Sequence, residues 1–209
     1  MKEGYSYIIS SNLLKIGAVK FNFEEPFTWT SGINSPVYCD NRLSLSYVEE
    51  RNLIRDAYVQ VIREKFPEVE LIAGVATGAI AQGALVADKL DLPFVYVRDK
   101  PKKCGMNKVI EGTFINGQKT VILEDLVSTG GSSIKVLEEL RNEGANVLGM
   151  VAILSYDLPM AEDNFKKSNC ELFTLSSFST LLDVALQKGY ITAEEVDKLQ
   201  KWHKNPEKY

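Results

Sequence analysis

The 209 residues, 45% hydrophobic and 25% charged, suffice for one large globular domain, or one core with a small accessory layer. A net charge of −4 argues against a general nucleic-acid binder, no apolar run reaches the roughly 18 residues of a membrane span, and MKEGYSYIISSNLL lacks the layout of a secretion signal. Three cysteines without a CxxC pair point to reduced thiols in a cytoplasmic protein, and the single histidine, His203, in a polar C-terminal stretch, argues against a His-based metal site or a Ser-His-Asp triad.

In chain order, Ile8, Ile9, Leu13, Leu14 and Ile16 recur near helical spacing, which predicts a helix over 5–17. FTWTSGINSPVYCDNR (27–42) sets β-branched and aromatic residues on either side of Ser31-Gly32-Ile33-Asn34, the pattern of two short strands and a turn. Residues 46–65 return to helical periodicity, with Leu53, Ile54, Tyr58, Val61 and Ile62 on one face. From there strands and helices alternate: LIAGV (71–75), a helix over 79–90, PFVYV (93–97), TVILED (120–125), a helix over about 132–143, and NVLGMVAIL (146–154). That alternation implies a parallel sheet with helices on both faces, in which ligands bind beyond the carboxyl ends of the strands. Thr192 and Glu195 have capping-box spacing and start a last helix, 193–202.

Three stretches fall at strand ends: 74–78, 98–108 and 124–132. In VILEDLVSTGGSS (121–133), Ser128-Thr129-Gly130-Gly131-Ser132 offers hydroxyls, glycines that admit close backbone approach, and the N-terminus of the next helix. It is neither a Walker loop nor a dinucleotide fingerprint, and by itself it also fits a tight strand-to-helix turn. Glu124 and Asp125 at its lip tip the balance, because two adjacent carboxylates at a strand end need solvent, a partner or a ligand. A ligand carrying both a phosphate and vicinal hydroxyls, such as a phosphorylated ribose, suits the loop and the acidic pair together. The second stretch, 98–108, gathers Arg98, Lys100, Lys102, Lys103 and Lys108 against Asp99 alone. An ordinary solvated hairpin carries such charge; so does a lid that brings cations over a polyanion.

VILEDLVSTGGSS resembles the phosphoribosyl-diphosphate signature of type I phosphoribosyltransferases, in which apolar residues lead into two acidic residues and a Thr/Ser-Gly-rich turn. VRDKPKKCGMNKVIEG (97–112) is similar to the catalytic loop of the orotate phosphoribosyltransferases: Arg98 matches its arginine, Lys102 its lysine, and Ile110-Glu111-Gly112 its downstream element. Two departures stand in this loop, Cys104 at the family histidine and Asp99 where many members carry a lysine. FTWTSGINSPVYCDNR resembles the family's N-terminal base-binding segment, and GVATGAIAQGALVA (74–87) falls where the family has its diphosphate loop, with Gly78 where some members have a lysine. ILSYDLPM (153–160) lacks the arginine that some members use for the orotate carboxylate.

The resemblance implies an α/β type I phosphoribosyltransferase fold: a mostly parallel twisted sheet flanked by helices, with a small N-terminal hood. It implies one domain over 1–209, with the hood at about 1–45 plus part of the C-terminal region and the core at about 46–175. The implied activity is transfer of the phosphoribosyl group from phosphoribosyl diphosphate to orotate, in pyrimidine biosynthesis, with Mg²⁺ held mainly by substrate and water. It implies catalytic roles for Lys102, Glu124 and Asp125, and phosphoribosyl-diphosphate contacts from Arg98, Lys102, Lys103, Glu124, Asp125, Leu126, Val127, Ser128, Thr129, Gly130, Gly131 and Ser132. Backbone amides around Ala76–Ala79 would serve the diphosphate, and Ser31, Gly32, Arg42 and Ser128 the orotate. It also implies a homodimer in which loop 98–108 reaches the neighbouring site. Two rivals remain: transfer to another nucleobase, and a regulator that senses phosphoribosyl diphosphate with weak or no catalysis.

Overall fold

The computed structural model describes residues 3–29, 31–100 and 108–208. Helix α1 (Glu3–Lys15) leads into β1 (Val19–Phe21), β2 (Phe27–Thr28), β3 (Asn34–Ser35), β4 (Val37–Cys39) and a 3-10 helix, Asn41–Ser46. The central part comprises α2 (Val48–Lys65), β5 (Leu71–Val75), α3 (Ile80–Leu90), β6 (Phe94–Val97), β7 (Ile110–Glu111), β8 (Lys119–Val127), α4 (Gly131–Asn142) and β9 (Asn146–Ser155). The chain ends through α5 (Pro159–Lys167), β10 (Leu172–Ser177), α6 (Phe178–Gln187), α7 (Ala193–Lys204) and a last 3-10 turn, Pro206–Lys208.

Six strands form the main sheet in the order β10-β9-β8-β5-β6-β7. All neighbours pair in parallel except β7, which runs antiparallel to β6. Residues on β5 and β8 are buried almost throughout because both faces of the sheet are covered. One apolar layer unites α1, α2, α3, α6 and α7 residues such as Leu13, Ile62, Val86, Leu181 and Trp202. The other sets Val136, Leu137 and Leu140 of α4 and Phe165 of α5 against Ala73, Ile122 and Met150. After β5 the chain steps outward to β6, and after β8 it steps the other way to β9, so the strand order reverses between β5 and β8. Crevices at such reversals are where open α/β sheets bind ligands.

Outside the sheet lie two small antiparallel pairs. β1 pairs with β4, and the β2–β3 hairpin closes through Gly32, whose φ of +87° suits a residue without Cβ. The expected two-strand reading of 27–42 is therefore half the arrangement: β4 leaves the hairpin to join Val19–Phe21, a strand too short to show periodicity. Ile8 faces solvent at 44% exposure, so the buried stripe of α1 is Ile9, Leu13 and Leu14, with Ile16 buried in the turn just after the helix. The α7 capping box is present, with Thr192 accepting from the Glu195 amide at 3.3 Å and Glu195 from the Thr192 amide at 2.8 Å. His203 does not lie in a free tail; its Nε2 is 2.8 Å from the Tyr156 carbonyl and its ring stacks on Phe178. Among the described residues no helix is long and apolar enough to cross a membrane.

Candidate active site

β8 continues past its apolar run through both acidic residues to Val127, and its partner β9 follows it to Ser155. Glu124 is 4% exposed; its Oε2 accepts from the Ser133 hydroxyl at 2.8 Å, and its Oε1 from the Asp125 amide at 3.0 Å. Burial first, then the neighbouring Asp125 charge, pushes the Glu124 carboxyl well above the usual range. Asp125 is raised too, chiefly by burial, while its hydrogen bond with Glu124 and the Arg42 charge pull the other way. Two successive carbonyls of this strand end are held from outside the sheet: the Tyr58 hydroxyl donates to Glu124 O at 2.5 Å, and the Asn41 amide to Asp125 O at 2.6 Å.

Opposite Asp125 runs the turn between β5 and α3. A Cβ on Gly78 would sit 2.2 Å from the Asp125 carboxylate, so only glycine lets this turn close over the acid. The Ala76 amide donates to Val97 O at 2.9 Å and the Ala79 amide to Val75 O at 3.0 Å. Those two were expected among anion donors and are already engaged; for the Thr77 and Gly78 amides no acceptor is found among the described residues. The loop after β8 turns through Gly130 (φ +79°) into α4, which starts without a side-chain cap. Its first-turn amides, Gly131 to Ser133, therefore have no acceptor of the kind Thr192 provides for α7.

These elements enclose a cavity of about 490 Å³. Glu124, Asp125, Leu126, Ser128 and Ser132 supply one wall, Val75 to Gly78 a second, and Thr28, Trp29, Tyr38, Cys39, Asp40 and Arg42 a third. The structure thus brings together the acidic pair, the serine-rich loop and Arg42. Val127 points into the core beneath, and Thr129 and Gly130 are not part of the cavity lining. Ser31 and Gly32 sit exposed in the hairpin turn and do not line it; Thr28 and Trp29 of the same hairpin do. Arg42 is held in a two-pronged pair by Asp40, Nε to Oδ1 at 2.7 Å and Nη2 to Oδ2 at 3.0 Å. Arg98 lies outside this cavity at the end of β6, where its Nη1 is 3.3 Å from Glu111 Oε1. Lys102, Lys103 and Cys104 fall outside the described residues.

A family model for the phosphoribosyl transferase domain matches residues 47–184. The orotate phosphoribosyltransferase of Cytophaga hutchinsonii is 50% identical over 202 residues, 97% of this chain and 97% of that one. That of Porphyromonas gingivalis is 52% identical over 200 residues, 96% and 95% of the two chains. The chain belongs to the orotate phosphoribosyltransferases. Among solved structures, the orotate phosphoribosyltransferase of Aeropyrum pernix matches 88% of this chain and 99% of its own with a TM-score of 0.75 and 27% identity. The UMP synthase of Leishmania donovani matches 95% of this chain with a TM-score of 0.81 and 26% identity, and this chain spans 42% of its length.

Several residues around this cavity escaped sequence reasoning. Tyr58 read as one more core residue of α2, and Asn41 as part of a quoted pattern without a role. Trp29, Tyr38 and Tyr156 carry no spacing signal; only the packing of the hairpin against the sheet end puts them around one cavity.

Proposed function

We infer that the protein transfers the 5-phosphoribosyl group of phosphoribosyl diphosphate to orotate, releasing diphosphate and forming orotidine 5′-phosphate. The observation that carries this reading is the cavity at the strand-order reversal, where an acidic pair, a helix start without a side-chain cap and an aromatic hairpin meet. Relatives about half identical over nearly the full chain carry the orotate phosphoribosyltransferase name, which supports the same reading.

In this proposal the 5′-phosphate takes the amides and hydroxyls of Ser128–Ser132, where the dipole of α4 favours an anion. Glu124 and Asp125 accept from the ribose hydroxyls. Asn41 and Tyr58 fix the backbone beneath them, so little reorganisation accompanies binding. The bond from the anomeric carbon to the diphosphate oxygen breaks first, leaving positive charge on the ribose; the bond to orotate N1 then forms on the opposite face as N1 gives up its proton to the departing diphosphate or to solvent. The buried, negative Asp125 side of the cavity stabilises that charge. Arg98, Lys102 and Lys103 neutralise the departing diphosphate, with the Thr77 and Gly78 amides as further donors; Arg42 meets the carboxylate of the base.

Mg²⁺ suits the oxygen donors of Glu124 and Asp125, and we assign it mainly to substrate oxygens and water. When bound it supplies charge neutralisation at the diphosphate. We also take residues 1–45 with α7 as a hood over the 46–175 core, since the Trp202 indole donates to Asn34 O at 2.8 Å and so ties α7 to the hairpin. A homodimer in a cytoplasmic setting completes the proposal.

The test is the loss of orotate absorbance with phosphoribosyl diphosphate and Mg²⁺, run beside uracil, adenine and hypoxanthine. Turnover of orotate alone is expected. Turnover of another base in its place would overturn the substrate assignment. Tight phosphoribosyl-diphosphate binding with no turnover of any base would leave a sensor.

A further inference from the structure

The loop that follows β8 has two sides. Ser128 and Ser132 line the main cavity, whereas Thr129 lines a separate hollow with Leu158, Pro159 and Met160. On that outer side stands α5, and its Asn164 side chain lies 2.9 Å from the Thr129 carbonyl oxygen. A carbonyl only accepts, so the Asn164 amide nitrogen is the donor. Sequence spacing gives no hint of this contact, because 35 residues separate the partners.

The Thr129–Gly130 peptide is planar and trans, so the Thr129 carbonyl and the Gly130 N–H point to opposite sides. With the carbonyl turned to α5, the Gly130 N–H turns away from it, and no acceptor for that N–H is found among the described residues. Gly130 has φ +79°, and successive amides around a left-handed residue form a concave seat for an anion. The same glycine tolerates either sign of φ, so by its own geometry this peptide can turn over. Turned over, it presents a carbonyl oxygen where a phosphate needs a donor.

α5 is a firm base for the contact. Phe165 packs against the loop, since a Cβ on Gly130 would sit 3.1 Å from its ring. At the far end, Arg141 of α4 donates to the Ser168 carbonyl at 2.7 Å and to the Asn169 carbonyl at 3.0 Å. α4 and α5 are therefore tied at both ends, and Asn164 is the polar tie at the end that carries the loop.

We propose that Asn164 is a positioning residue: by holding the Thr129 carbonyl outward, it keeps the Gly130 N–H aimed at the 5′-phosphate. This deepens the reading above and rests on it. Asn164 touches no substrate and acts through the Thr129–Gly130 peptide.

Asn164→Asp keeps size and shape, but its carboxylate accepts where the amide donated, so it repels the Thr129 carbonyl and favours the overturned peptide. Asn164→Leu removes the donor without adding charge. Phosphoribosyl diphosphate and orotidine 5′-phosphate carry the 5′-phosphate; orotate and inorganic diphosphate do not. In both variants the dissociation constants of the first two are expected to rise about tenfold or more, the scale of one hydrogen bond to a charged group, with the larger rise in Asn164→Asp. The orotate KM and the inhibition constant of diphosphate should stay within about twofold. Asn164→Gln, which retains an amide donor, should recover part of the loss. Unchanged affinity for the 5′-phosphate ligands, equal losses for all four ligands, or a lower melting temperature without that split would each overturn the proposal. Should Asn164→Leu fail to fold, Asn164→Asp, isosteric at a half-buried position, gives the same comparison. Wild-type protein that binds neither 5′-phosphate ligand would bring down the functional reading; wild-type binding with indifferent variants brings down this inference alone.

Discussion

The side-chain amide of Asn41 donates to the backbone carbonyl of Asp125 at 2.6 Å, across 84 residues of sequence. The Cys39 thiol, at 3.3 Å from Asn41 Oδ1, orients that amide in turn. The connection between the β1–β4 pair and the acidic strand end is therefore a short polar chain. Asn41→Ala leaves the part-buried Asp125 carbonyl unpaired, at a cost of about 1–3 kcal/mol. We expect kcat/KM for phosphoribosyl diphosphate to fall about tenfold or more with the fold retained. Steady-state kinetics beside a melting curve checks this; a fall in stability with normal kinetics would make Asn41 purely structural.

Gly78→Ala places a methyl group where the Asp125 carboxylate now lies, at 2.2 Å. Either the acid or the start of α3 must move, and overpacking of this kind costs about 1–3 kcal/mol. We expect weaker phosphoribosyl-diphosphate binding by calorimetry, by about tenfold or more if Asp125 holds the ribose. Unchanged affinity would remove Asp125 from the ribose contact.

The acidic pair makes stability fall as pH rises. Both carboxyls sit above their unfolded values, mainly through burial, so between the unfolded and folded pKa values the native state binds more protons than the unfolded chain. The slope of unfolding free energy with pH is then negative across that window and flat above it. Glu124→Gln removes one charge from the buried pair. Without ligand the variant should melt above wild type at pH 8, and the gap should close toward pH 4, while its activity falls. A gap independent of pH would contradict this.

Arg42 is committed to Asp40 by its two-pronged pair, and that hydrogen-bonded guanidinium holds the Asp40 carboxyl below its ordinary range. If Arg42 takes the carboxylate of the base, Asp40 competes with it. Asp40→Asn should lower the orotate KM, and Arg42→Ala should raise it by about tenfold, the scale of one charge-assisted bond. Equal KM values in all three proteins would exclude Arg42 from base binding.

If loop 98–108 serves the site of a neighbouring copy, as proposed, complementation follows. Lys102→Ala and Asp125→Asn should each be inactive alone. Mixed dimers have one intact site in two, so an equal mixture should recover about a quarter of wild-type activity. No recovery would keep Lys102 in its own subunit's site.

β5, α3, β6, α4 and β9 were legible because buried strands and amphipathic helices announce themselves through periodicity, and the STGG loop and acidic pair through composition. The stretch from 156 to 190 went unread although it holds α5, β10 and α6. Its strand is only partly buried and its helices follow without a clear break, so neither period stands out. The β1–β4 pair escaped for a different reason: strands of three residues gain stability from their partner rather than from their own pattern.

The sequence by itself determined the chemistry on offer: an anion loop at a helix start, two adjacent carboxylates, a basic stretch and an alternation that demands a parallel sheet. These are local properties, set by residue type and spacing within a dozen positions. Only the tertiary structure decided who faces whom. Glu124 turned inward to Ser133 while Asp125 came to lie over Gly78; Arg42 met Asp40 in the cavity wall, and Ser31 stayed outside it. The register of β8 against β9 and the docking of the hairpin on the sheet end set those relationships. They depend on packing between segments far apart in the chain, which no local spacing encodes.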